Sequence, residues 1–137
     1  MRVVIDTNVF VSSFFGGYPR KVVDLWKNGQ ITICLTKEIV DEYVEVLQRI
    51  GLEDEKELLE LLSLFARGYN CHFSAKTPDL KIVNDDPDDD KFFECAVTLN
   101  AKCIISGDAS IIAVEEYMGI KVFTPKQFFQ HTADSNS

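Results

Sequence analysis

The chain has 137 residues, enough for one domain with its own core, and 46% of them are hydrophobic against 26% charged. No apolar run reaches the ~18 residues of a membrane span, and the first apolar run stops at Asp6, too early for a secretory leader, so a cytoplasmic protein is expected. A formal net charge of −8 opposes broad contact with phosphate backbones. A nucleic-acid role therefore requires a local basic patch, a partner subunit, or cations held by the acids themselves.

In chain order, residues 2–5 read as a short strand buried on both faces, ending on Asp6. Arg20 to Asn28 has Val22, Val23 and Trp26 on one side and Asn28-Gly29 as a stop, which predicts a helix. ITICL (31–35) is short and β-branched, hence a strand. Thr36 suits an N-cap for a helix to about Ile50, closed by Gly51. A further helix is expected from Glu53 to Ala66, with Leu58, Leu59, Leu61, Leu62 and Phe65 as its apolar side. That stripe reads as core before it reads as a docking surface.

Residues 68–89 read as irregular and carry the charge run NDDPDDD. Asp90 to Leu99 is predicted helical, 103–106 (CIIS) a strand, Ala109 to Tyr117 a helix, and 121–123 (KVF) a last strand. Thr124-Pro125 starts a terminal helix, with threonine as the cap and proline in the first turn. Strands separated by helices imply parallel pairing with helices on both sheet faces. One domain is expected over residues 1–131, with 132–137 a frayed tail.

The four cysteines form no CxxC pair, and three lie in apolar stretches, where a free thiol acts as a small hydrophobe. Cys71-His72 lacks the further ligands a zinc site needs. The carboxylates carry more information. In open parallel sheets, sites form outside the carboxyl ends of the strands. Asp6 ends the first strand, Asp108 follows CIIS by one glycine, and Asp90 opens a helix. Singly, Asp90 and Asp108 are as well explained as helix caps. Asp6 is harder to explain that way, because a carboxylate on a buried strand needs partners.

On the helix from Thr36, Glu42 borders the apolar stripe beside Val46 and Asp41 borders its other edge; periodicity favours Glu42 slightly. Acids gathered at one rim repel unless cations neutralise them, and Mg²⁺ or Mn²⁺ is the natural occupant. Read as an EF-hand from Asp86, the acidic run puts Lys91 where glycine is required and Val97 where glutamate is, so that reading fails. A haloacid-dehalogenase-type phosphatase would want a second aspartate two residues after the first, where this chain has Asn8.

Together, DTNVFVSSFF, LTKEIVDEYVEVL, DPDDDKFFECAVTLNAKCIISGD and VFTPKQFF resemble, in order, the segments of the PIN domain family, and the resemblance covers nearly the whole chain. It implies a three-layer α/β/α fold around a central parallel sheet. It also implies one or two Mg²⁺ or Mn²⁺ ions and hydrolysis of single-stranded RNA. The four acids fall on Asp6, Glu42, Asp90 and Asp108, with Asp89 adjacent to the third, and Asn8 and Ser106 match the polar positions that orient them. The likeness is to the prokaryotic VapC-like toxins, which implies a homodimer and an antitoxin partner. Many relatives carry a further aspartate where this chain has Ser110. The alternative is a PIN fold that binds RNA or a partner without cutting.

Overall fold

Val3, Val4 and Ile5 are all completely buried, as consecutive β-branched residues are when sheet neighbours and helices cover both faces of a strand. In the computed structural model, which describes residues 1–50, 55–83 and 86–135, they belong to β1 (Arg2–Ile5). The other strands are β2 (Thr32–Thr36), β3 (Cys71–Ser74), β4 (Cys103–Ile105), β5 (Glu116–Tyr117) and β6 (Ile120–Phe123). They form a six-stranded sheet in the order β3-β2-β1-β4-β6-β5. All pairings are parallel except β5 with β6. The expected α/β architecture is present, with one antiparallel edge on an otherwise parallel sheet.

The helices that flank the sheet are α1 (Thr7–Ser13), α2 (Gly17–Lys27), α3 (Lys37–Arg49), α4 (Glu55–Ala66), α5 (Asp90–Thr98), α6 (Ala109–Ile112) and α7 (Pro125–Ser135). Beneath them, Phe10 packs against Trp26, Tyr43 and Phe65 at ring separations of 5.9, 4.8 and 5.3 Å. In α4, Leu61, Leu64 and Phe65 are buried and Leu58 and Leu62 pack partly against the core, so most of the expected stripe is core, but Leu59 is 64% exposed.

The strand order places the site. From β1 the chain moves to β2 and β3 on one side, and β4 then opens the other side. Connections leave the carboxyl ends of β1 and β4 in opposite directions, which makes a crevice at that junction. Asp6 follows β1 directly, and Asp108 follows β4 after Ser106 and Gly107.

Thr36 caps α3 as predicted, accepting from the Ile39 N–H at 3.3 Å. Gly51 and the start of the following helix at Glu53 lie outside the described residues. Several elements differ from the sequence reading. α1 went unassigned because Val9, Phe10 and Val11 also suit a strand; its signal is Asp6, which serves as N-cap. α2 begins at Gly17, before Arg20. The stretch expected to be irregular contains β3, a short edge strand fixed by side-chain bonds: the Asn70 amide donates to the Ile31 carbonyl at 3.0 Å, and the Trp26 ring N–H to Tyr69 O at 3.2 Å.

The helix expected over 109–117 ends at Ile112. Met118 and Gly119 both take positive φ, 52° and 83°, and form the two-residue turn of a β5–β6 hairpin that pairs Tyr117 with Ile120. α7 reaches Ser135, past the expected boundary at 131. It starts in a reciprocal cap: Thr124 Oγ1 accepts from the Gln127 N–H at 3.1 Å, and Gln127 Oε1 accepts from the Thr124 N–H at 3.0 Å. Among the described residues no helix is long and apolar enough to cross a membrane.

Candidate active site

The ladder between β1 and β4 runs one step beyond the strands, where the Asp6 N–H donates to Ile105 O at 2.9 Å. That bond seats Asp6 beside the chain that continues from β4 into Ser106, Gly107 and Asp108. The Ser106 hydroxyl donates to Asp6 Oδ2 at 2.7 Å, and its oxygen accepts from the Asp108 N–H at 2.9 Å. One completely buried serine therefore bridges two aspartates that the sequence holds far apart. Ser106 thereby holds the Asp6 carboxylate in one orientation. Asn8 contributes only a long backbone contact, 3.4 Å from its N–H to Asp6 Oδ1.

Asp6 is 4% exposed. Burial raises its pKa above the ordinary aspartate value, the bonds from Ser106 and Asn8 pull it back, and the charges of Asp108 and Glu42 push it up again. Asp108 caps α6 by accepting from the Ser110 N–H at 2.8 Å, so Ser110 adds a backbone donor but no further acid.

The structure separates the two candidates for the third acid. Asp90 accepts from the backbone N–H groups of Ile82 and Val83 at 3.0 and 2.7 Å, which commits its Oδ1 to holding the segment that leads into α5. Asp89 ends the single 3-10 turn over Pro87–Asp89. Its carboxyl is pushed up to about 7 by burial and by the charges of Asp86, Asp108 and Asp6, with Lys91 acting weakly the other way. Its Oδ2 is buried and has no hydrogen-bond partner. Asp89 thus lies near enough to Asp6 and Asp108 to feel their charges. The proline-started turn ahead of the helix is the signal that favours the earlier residue.

Glu42, on α3, reaches the same rim. Its Oε2 accepts from the Thr7 hydroxyl, and its Oε1 forms an ion pair with Lys91 at 2.8 Å. Asp41 points elsewhere, pairing with Lys37 at 2.9 Å on the exposed surface. The sequence reading missed Thr7 and Lys91, and left Asp89 beside Asp90 as the alternative for the third acid.

Among the described residues, no three His, Cys, Asp or Glu side chains stand ready-made as a metal-ligand set. The chemistry of the rim nonetheless suits a hard cation: all its donors are carboxylate oxygens, two of its acids are raised by mutual repulsion and burial, and one buried oxygen lacks a partner. Ligation would need side-chain rotation, which aspartates make readily.

Beside the rim lies a cavity of about 520 Å³ lined by Asn8, Ser12, Tyr18, Gly107, Asp108 and Lys126, among others. The Lys21 ammonium sits 4.8 Å above the Tyr18 ring. The acidic molecule therefore has a small basic and aromatic surface next to its acids.

A mostly parallel α/β sheet whose switch point gathers aspartates puts carboxylates in the crevice where ligands of such sheets bind. Residues 2–110 match the PIN domain family, and the chain belongs to that family, whose members are generally nucleases. It is 32% identical over 149 aligned positions to Uncharacterized protein MJ1680 of Methanocaldococcus jannaschii, with 95% of this chain and 90% of that protein covered. No solved structure matches the chain.

Proposed function

We propose that this protein is a divalent-metal-dependent ribonuclease that hydrolyses phosphodiester bonds of single-stranded RNA. The observation that carries the reading is the Asp6–Ser106–Asp108 bridge at the β1–β4 crevice, with the partnerless Asp89 oxygen on the same rim. Asp6, Asp89 and Asp108 would hold Mg²⁺ or Mn²⁺, and Asp89 takes the place assigned from sequence to Asp90.

When bound, the ion supplies an activated water and charge stabilisation for the phosphate. The chain's own residues do the positioning. Ser106 fixes Asp6 Oδ2 by donating to it and leaves Oδ1 with only the long Asn8 contact, so Oδ1 faces the rim with its lone pairs largely free. The α6 cap fixes Asp108 in the same way. Tyr18 offers a face on which a base can stack, and Lys126 and Lys21 supply the local positive charge that the molecule otherwise lacks.

The test is cleavage of single-stranded RNA with Mn²⁺ or Mg²⁺, with chelator and Asp6→Asn as controls. Loss of an oriented second-shell partner alone typically costs 10–100-fold, so Asp6→Asn, which removes a ligand charge, should lose at least ~100-fold. Equal cleavage by both proteins rejects the site. Ion binding with no turnover on any RNA pool favours a binding module instead.

The likeness to VapC-like toxins extends the proposal to the toxin of a toxin–antitoxin pair, homodimeric and silenced by an antitoxin. The archaeal relative is consistent with a prokaryotic lineage. Induced expression should arrest growth for the native chain and not for Asp6→Asn; unimpaired growth with the native chain counts against it.

A further inference from the structure

A lysine that is 7% exposed, inside an acid rim, calls for its own explanation. Lys91 is the second residue of α5. Its ammonium lies 2.8 Å from Glu42 Oε1, donates to the Asp88 carbonyl at 2.7 Å, and sits 5.3 Å from the centre of the Phe92 ring. An ammonium buried this deeply is retained only when its hydrogen bonds and charge are matched, and here they are.

The other half of the pair is equally committed. Glu42 has two carboxylate oxygens; Lys91 holds one and the Thr7 hydroxyl the other. Thr7 follows Asp6 at the start of α1, and Lys91 follows Asp89 by two positions. The Thr7–Glu42–Lys91 chain thus ties together the elements that carry two of the three rim aspartates.

We propose that Lys91 is a built-in cation that occupies Glu42 and keeps it from ligating metal, so that the rim takes one divalent ion, on Asp6, Asp89 and Asp108, rather than two. Lys91 and Glu42 are positioning residues: the lysine neutralises Glu42 where a second ion would otherwise do so, and the pair sets the spacing of the aspartates. This rests on the reading of the rim as a metal site.

The experiment is Mn²⁺ titration of the full chain, followed by calorimetry and by the electron paramagnetic resonance of bound Mn²⁺. The native protein should bind one ion, with no spin coupling between neighbouring ions. Glu42→Gln keeps both oxygen and nitrogen partners within reach of Lys91 and Thr7, and should still bind one ion within about threefold of native affinity, whereas Asp108→Asn should lose at least ~10-fold. Lys91→Arg should behave as native. Lys91→Met, which frees a carboxylate oxygen, should admit a second, weaker ion. Two coupled ions in the native protein, or a loss in Glu42→Gln as large as that in Asp108→Asn, overturns the inference while leaving the metal site intact. No Mn²⁺ binding by the folded native protein overturns the metal reading itself.

Discussion

Neighbouring aspartates 89 and 90 have the same side chain and opposite circumstances. Asp90 binds two backbone donors, whereas Asp89 is raised to about 7 by burial and by other acids. Asp90→Ala leaves buried N–H groups unpaired and should cost about 1–3 kcal/mol of stability, read by urea denaturation. Asp89→Asn should cost metal affinity and little or no stability. The pH dependence separates them further. Because Asp89 and Asp6 titrate higher in the folded chain than in the unfolded one, the metal-free folded state holds more protons between about pH 4 and 7, and stability falls as pH rises through that window. Asp89→Asn should flatten this decline in denaturation midpoints measured at pH 5 and 8; an unchanged slope would show that Asp89 does not titrate as described. Asp6 and Asp108 could be read from sequence because each follows a strand. The choice between Asp89 and Asp90 could not, since a one-residue step at the start of a helix turns the side chain by ~100°.

At the scale of elements, the acid rim depends on the register of β1, and α3 holds β1 from outside the sheet. The completely buried Tyr43 hydroxyl donates to the Ile5 carbonyl, one residue before Asp6. Tyr43→Phe should cost about 1–3 kcal/mol in chemical denaturation and should lower cleavage by displacing the end of β1; a silent variant would mean that the ladder alone sets the register. Elements with strong periodicity or a clear cap, such as α3, α5 and α7, were visible in the sequence. Those that tertiary contacts impose were hidden. β3 is four residues of middling burial held by Asn70 and Tyr69, and β5 exists only because Met118 and Gly119 turn back onto β6. Neither has a local pattern long enough to outweigh a loop or a helix.

For the molecule as a whole, a net charge of −8 leaves little long-range attraction for RNA, so the proposed ribonuclease would draw its binding from a cation on the acid rim and the patch beside it. Lys126, on the cavity wall next to Asp108, is the test: Lys126→Gln should weaken RNA binding and reduce the salt slope of log affinity by about 0.7. An unchanged slope would place the backbone path elsewhere. The sequence showed the acidity but not the patch, because Tyr18, Lys21 and Lys126 come from α2 and α7, which meet only in three dimensions.

The Ser106 to Asp6 bond joins residues 100 positions apart. During synthesis Asp6 emerges 100 residues ahead of the serine that steadies it, and the aspartate across from it follows that serine. A nascent chain that lacks β4 therefore lacks the assembled rim, which forms only when β4 slots in beside β1.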